Sequence, residues 1–395
     1  MRVTNIYDWL LFNGLEGAMV SWVFLFFTIT IIYTMKLSLL PIAALATKSH
    51  EDFDTRAAYV DHLNNLPAMT WTAGVNERFA NLPLGAAASL CGVKEHSHQE
   101  LLSLVKQGVV QSGVPPMYAD IDPPASFDSA TNWPECADII GDIRDQSDCG
   151  CCWAFGAAEA ASDRLCIATN GTIKVPLSAQ ETCFCAESNG CNGGTLYTPW
   201  QYIQSNGIVT GGQFNNTGPL QDFCSDFSLP HCHHHGPQGS DPFPAEGTPG
   251  CPKVSESPSC PTKCDDPSSN RRFETDKYGF DGTVYLYGHT VKTIQTAIYQ
   301  HGPVEAAFTV FADFENYVSG IYQHVSGGQL GGHAIRIVGW GTENGTDYWK
   351  VANSWNPYWG EKGYFRIVRG APDSKGCGIE QSVTANGPKA TWGKK

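Results

Sequence analysis

The distribution of cysteine constrains this chain more than any other feature. Fifteen cysteines occur in 395 residues, and all but Cys91 lie between Cys136 and Cys377. That many thiols in one stretch indicate an oxidising compartment and a body held by disulfides. A zinc ribbon would need repeated Cys-x-x-Cys pairs, and no clean tandem of them occurs. The stretch from Cys183 to about Asp276 is rich in Gly, Pro, Ser and Cys. Cross-links make so long an irregular segment tolerable in a compact protein.

The N-terminus agrees with export. Residues 18–34, AMVSWVFLFFTITIIYT, carry no charge and are long enough to span a bilayer. The next stretch, MKLSLLPIAALATKSH, has the form of a compact signal peptide, with Lys36, an apolar run and small residues before Thr47. Two starts are open: Met35, with a signal peptide over 35–46, or Met1, with a long signal or anchor. A membrane association follows only if 18–34 is retained. The expected organisation is a signal or anchor region over 1–46, a segment over 47–121 ending near Pro115-Pro116, and a body over 122–395. The formal charge of −14, from 39 acidic and 25 basic side chains, argues against nucleic acid as a partner.

In the body, WAFGAAEAASDRLCIATN reads as a helix of about four turns from its alanine content and lack of proline. VKTIQTAIYQHG reads as a second helix, and HAIRIVGWG, DYWKVANSW and GYFRIVRG as short strands. Helices followed by strands point to an α+β body with two unlike lobes.

A cysteine nucleophile must reach its thiolate form, which a helix N-terminus and a neighbouring histidine favour. In DQSDCGCCWAF, Cys152 stands at the start of the alanine-rich helix, with Cys149 and Cys151 in the preceding loop. His333, in GGHAIRIVGWG, can serve as the base, and Asn353, in NSW, can fix its tautomer. Gln146, six residues before Cys152, can aim an amide N–H at a developing oxyanion together with the Cys152 N–H. One such donor contributes about 3 kcal/mol.

Gln146, Cys152 and Trp153, then Gly332-His333-Ala334, then Asn353-Ser354-Trp355 occur in the order of one family's signature. The chain resembles the papain-like cysteine peptidases, and among them the cathepsin B group, from about residue 58 to about 388. The resemblance implies a two-lobe fold: a helical left lobe, an antiparallel β-barrel-like right lobe and a cleft between them. It implies a Cys152–His333–Asn353 site with Gln146 at the oxyanion and no cofactor or metal. It gives Trp359 as the aromatic covering Asn353, and CNGG, with Gly193 and Gly194, as the non-primed edge of the cleft. Ala334 shapes the region beside the histidine. Peptides and proteins are the implied substrates. The chain's own propeptide and cystatin-like proteins are the implied inhibitors.

The resemblance also implies the pairs Cys136–Cys166, Cys149–Cys191, Cys224–Cys264 and Cys232–Cys251. Cys260 pairs with Cys183 or Cys185, one of which is then free, and Cys377 stays unpaired. The third signature position, small in the family, is Cys151 here. It reads as a small side chain facing the loop, with a redox brake on Cys149 or Cys152 as the sharper alternative. PHCHHHG matches an occluding loop over 232–251, in which His234 and His235 would bind a substrate's terminal carboxylate. Asp145 would hold that loop through the first of them. Zinc binding by these histidines is the competing reading, weakened by a disulfide at Cys232. The floor of the S2 pocket, acidic in cathepsin B, falls on Ser382, which points to an apolar or aromatic P2 residue. WTAGVNERF and Cys91 match the propeptide. Asn170, Asn215 and Asn344 are glycosylation candidates. The expectation is a lysosome-like or secreted thiol peptidase with dipeptidyl carboxypeptidase and endopeptidase activity. A plain endopeptidase with a mobile loop, or an inactive binding module, are the alternatives.

Overall fold

The computed structural model describes residues 50–94, 98–113, 121–214, 222–232, 251, 256–288, 290–387 and 389–393. The proposed signal or anchor stretches, His234, His235 and Asn215 lie outside them.

The N-terminal segment begins with α1, Arg56–Asn64. Thr55 caps it, its hydroxyl accepting the Ala58 N–H at 3.2 Å, and Arg56, Tyr59 and Leu63 form its buried face. Then come β1 (Trp71–Ala73), α2 (His98–Lys106) and β2 (Val110–Ser112). β3 (Phe127–Asp128) opens the body.

α3, Cys152–Ala168, is the central helix of one lobe, and every residue from Cys152 to Cys166 is buried. Its alanines and Gly156 let neighbours approach on all sides. α4 (Ala179–Ala186) and α5 (Tyr197–Asn206) pack beside it. Ser178 caps α4 by accepting the Glu181 N–H at 3.0 Å.

The other lobe is a mixed sheet. β4 (Tyr278–Asp281) pairs apart from it with β12 (Lys389–Trp392). The body strands of the mixed sheet are β5 (Val284–Leu286), β6 (Val304–Phe311), β7 (Tyr317–Tyr322), β8 (Gln329–Glu343), β9 (Thr346–Ala352), β10 (Tyr364–Val368) and β11 (Ser382–Asn386). The strand order is β1-β7-β10-β9-β8-β6-β11-β5-β2, with β3 on β8. Most pairs are antiparallel, but β10–β7 and β5–β2 are parallel. The path is open, so this lobe is a mixed sheet and not a closed barrel. The N-terminal segment supplies both of its ends: Trp71 lies opposite Gly320, and Val110 beside Val284. This is the α+β two-lobe architecture expected.

Six disulfides staple the body. Cys136–Cys166, Cys149–Cys191, Cys224–Cys264 and Cys232–Cys251 coincide with the implied pairs. Cys185 joins Cys260. Cys183 is not left over: it joins Cys151, with the two Cα atoms 6.1 Å apart. The expectation of Cys151 as a free small side chain is therefore corrected. Both residues are fully buried, which brings the thiols together. Cys91, Cys152 and Cys377 are free. Asn170 and Asn344 are exposed at turns, with φ of 48° and 50°. Among the described residues, no helix is long and apolar enough to cross a membrane.

Candidate active site

Cys152 begins α3 and faces the cleft between the lobes. His333 lies in β8, opposite Phe308 of β6, and Asn353 directly follows β9. The β8–β9 ladder brings them together: His333 Nε2 lies 2.8 Å from Asn353 Oδ1. The Asn353 oxygen also accepts the Ser354 N–H at 2.9 Å, which fixes the amide. Trp355 flanks the imidazole, with ring centres 5.0 Å apart. Trp359, to which the resemblance gives the covering role, packs edge-on against Trp355 at 5.1 Å, one layer behind. Trp355 forms an antiparallel bridge with Asp145 directly after the Asn353 strand end, and it is the tryptophan whose ring lies beside the histidine.

Gln146 is fully buried. The Ser354 hydroxyl donates to its Oε1 at 2.7 Å, and its Nε2 donates to the carbonyls of Cys149 at 2.8 Å and Leu90 at 3.0 Å. The sequence reading did not foresee Leu90 there. Residues 90–94 of the N-terminal segment lie along the cleft. The Gly92 N–H donates to Cys152 Sγ at 3.3 Å. Val93 N–H donates to Gly332 O at 3.0 Å and Lys94 N–H to Gly194 O at 2.8 Å, while Gly194 N–H donates to Gly92 O at 2.9 Å. The pairing with Gly194 is parallel. In this polarity the segment offers the thiol an N–H rather than a carbonyl carbon, so it fills the cleft without presenting a bond to attack.

Close approach explains the glycines. A Cβ on Gly92 would sit 1.7 Å from Gly150 O, one on Gly193 2.4 Å from Gly92 O, and one on Gly194 2.5 Å from the Trp153 ring. The Ala334 backbone, beside His333, favours the thiolate form of Cys152.

Burial sets the protonation states. It pushes the Cys152 thiol up to about 11, against the pull of backbone bonds from Ala334, Gly92 and Trp153. It lowers His333 to about 4, against the bonds to Asn353 and to the Leu90 backbone. Under the segment the pair is a neutral thiol and a neutral imidazole.

Ser382 opens β11 and lines a recess of about 450 Å³ with Leu196, Ala307, Phe308 and Cys377. Leu102 and Val105 of α2 close it from above. No carboxylate lines it, which suits an apolar side chain.

Asp145 has no exposed side-chain surface. Its Oδ1 accepts Arg78 Nη1 at 3.0 Å and the Ser147 N–H at 2.8 Å. Its Oδ2 accepts the Cys232 N–H at 2.9 Å and Asn356 Nδ2 at 3.1 Å. Asp145 thus grips the base of the 232–251 loop at its backbone and binds an arginine of the N-terminal segment. WTAGVNERF contained that arginine, but nothing in the sequence tied it to Asp145. Cys149, Cys151 and Cys183 bring their sulfurs within 4.8 Å of one another, yet all three are in disulfides and offer a metal no thiolate.

Residues 123–386 match the model of the papain family cysteine proteases. The chain is 48% identical over 269 residues to cathepsin B-like cysteine proteinase 4 of Caenorhabditis elegans, covering 67% of this chain and 76% of that relative. It is 40% identical over 342 residues to cathepsin B-like cysteine proteinase 6 of the same organism, covering 86% and 84%. Among solved structures, procathepsin B S9 from Trypanosoma congolense superposes with a TM-score of 0.65 at 31% identity, covering 83% of this chain and 97% of that one. The chain belongs to the papain family of cysteine proteases, as a cathepsin B-like cysteine peptidase.

Proposed function

We propose that Cys152, His333, Asn353 and Gln146 are the working groups of this peptidase, and that residues 47–121 form its inhibitory propeptide. The observation that carries the reading is the pair of contacts made by one segment: Leu90 O on Gln146 Nε2 at 3.0 Å and Gly92 N–H on Cys152 Sγ at 3.3 Å. A carbonyl oxygen already occupies the donor assigned to the oxyanion. A substrate of the opposite polarity brings its carbonyl carbon to the sulfur instead. The Cys152 thiolate adds to that carbon, and Gln146 Nε2 and the Cys152 N–H hold the oxyanion. The His333 imidazolium protonates the leaving amine, and Asn353 keeps the ring in register. Water, deprotonated by His333, then releases the acid and the thiolate.

The finer activity we propose is removal of C-terminal dipeptides, alongside weaker endopeptidase cleavage, in an acidic lysosome-like compartment or outside the cell. Support comes from HCHHH in the 232–251 loop, whose base is held by the Cys232–Cys251 disulfide and by Asp145. Imidazoliums at His234 and His235 suit a terminal carboxylate. The test compares a free-acid peptide with its C-terminal amide in acid, for the wild type and for His234→Ala/His235→Ala. A strong preference for the acid that disappears in the variant supports the reading. Equal wild-type rates on both peptides overturn it.

A further inference from the structure

Two disulfides meet beside the start of α3. Cys149 is bonded to Cys191 and Cys151 to Cys183, yet the sulfurs of Cys149, Cys151 and Cys183 all lie within 4.8 Å of one another. Gly190 closes the cluster. A Cβ there would sit 2.4 Å from Cys183 Sγ, so the residue before Cys191 packs directly on the second disulfide. The four cysteines differ in access. Cys149, Cys151 and Cys183 are buried, whereas Cys191 is half-buried and lines a recess of about 450 Å³ with Gly150, Ser188 and Glu256. An incoming thiol therefore meets Cys191 first. In a folded protein such an attack ordinarily undoes itself, because the released thiolate is held beside the mixed disulfide and expels the newcomer. Here the released thiolate, Cys149, has a second disulfide within reach.

We infer that Cys191 is a modification site for a low-molecular-weight thiol such as glutathione, and that Cys183 takes over Cys149 when the thiol binds. The thiolate of the incoming molecule adds to Cys191 Sγ. The Cys149–Cys191 bond breaks, and its electron pair leaves on Cys149. Cys149 then attacks Cys183 Sγ, the Cys149–Cys183 bond forms and the Cys151–Cys183 bond breaks. Cys151 leaves as the thiolate and takes up the proton that the incoming thiol gave away. The chain ends with a mixed disulfide at Cys191, a Cys149–Cys183 disulfide and a free Cys151. Nothing is oxidised or reduced overall, since one thiol enters and one thiol appears. Cys183 is the target rather than Cys151, because a Cys149–Cys151 bond would close a strained ring across Gly150 alone. The exchange frees the turn carrying Cys191 and keeps the nucleophile loop cross-linked to α4. That loop includes the Cys149 carbonyl, which accepts Gln146 Nε2 at 2.8 Å.

The experiment treats the purified precursor with reduced glutathione over a range of concentrations. The reaction is stopped with acid, free thiols are alkylated, and every cysteine is located by peptide mass analysis. Adducts on Cys91, Cys152 or Cys377 are thereby told apart from those on Cys191. In the wild type we expect one glutathione on Cys191, a cross-linked Cys149–Cys183 peptide and alkylated Cys151, all rising together. In Cys151→Ser/Cys183→Ser the released Cys149 has only Cys191 to return to. The Cys191 adduct should fall about tenfold or more, with the Cys149–Cys191 bond retained. Circular dichroism shows whether that variant has folded, and the wild-type map decides the matter if it has not. A wild type without the Cys191 adduct, an adduct formed while Cys151–Cys183 stays intact, Cys149 linked to Cys151, or equal modification of the folded variant each overturns the inference.

Discussion

The amide N–H of Gly92 points at the sulfur of Cys152 from 3.3 Å. A donor stands where a substrate would place an electrophile, and on the proposed reading that one relationship would keep the precursor inactive. It depends on glycine. Gly92→Ala places a Cβ 1.7 Å from Gly150 O, so backbone must move. In that variant the precursor should react at Cys152 with a thiol alkylator at least tenfold faster than the unmodified precursor, near neutral pH. An unchanged rate would separate inhibition from this contact.

The ion pair between Arg78 and Asp145 is almost wholly buried and links the N-terminal segment to the body. Arg78→Met strands a buried carboxylate, at a cost of about 3–5 kcal/mol. The precursor should melt at a lower temperature. The matured enzyme, made by cutting the segment away, should be unaffected, since Arg78 has left with it. Equal melting curves for variant and wild-type precursors would contradict the assignment.

The cover should respond to pH through His333. Under the segment its pKa is lowered from 6.5 to about 4 by burial, so the covered form resists protonation. Once uncovered, the imidazole titrates nearer its ordinary value. Proton binding therefore favours uncovering as pH falls from 6.5, and the effect is complete near 4. Cys152, raised from 9.0 to about 11, loosens the cover again above about pH 9. Docking should be tightest between these limits and weaken on the order of a hundredfold toward pH 4. Alkylation of the precursor, normalised to that of the matured enzyme at each pH, reads this directly.

Cys151–Cys183 closes a loop across 32 positions, worth about 3–4 kcal/mol in the chain-entropy account. Cys151→Ser/Cys183→Ser should lower the melting temperature of the matured enzyme and leave a folded, active protein. Loss of labelling at Cys152 in that variant would show that the cross-link is needed to place the nucleophile.

The apolar recess at Ser382 predicts a preference for phenylalanine over arginine at P2. Ser382→Glu should narrow or reverse it by about tenfold, as a carboxylate enters a partly covered pocket. An unchanged ratio would place P2 elsewhere.

The candidate site was legible in the sequence because it rests on residue types at fixed local positions: a cysteine at a helix start, a histidine behind two glycines, an asparagine at a strand end. The central helix was legible from its alanines, and the strand series from its aromatic and branched residues. Contacts between distant segments were not. Cys151 and Cys183 are ordinary until folding stacks α4 behind the nucleophile. Arg78 is one basic side chain in a polar stretch until its segment reaches Asp145. The polarity of residues 90–94 follows from backbone pairing with Gly194 and leaves no residue pattern. That the Trp355 ring lies beside His333 follows from packing and leaves no residue pattern.

The most direct test of the account is the fate of one thiol. The matured enzyme is treated with an irreversible epoxide that alkylates active-site thiols, and the label is located by peptide mass analysis while peptide hydrolysis is followed. One label per chain should appear at Cys152, none at Cys377, and hydrolysis should fall in proportion to labelling. Cys152→Ser should neither label nor hydrolyse. Hydrolysis that persists in the fully labelled enzyme or in Cys152→Ser would contradict the account.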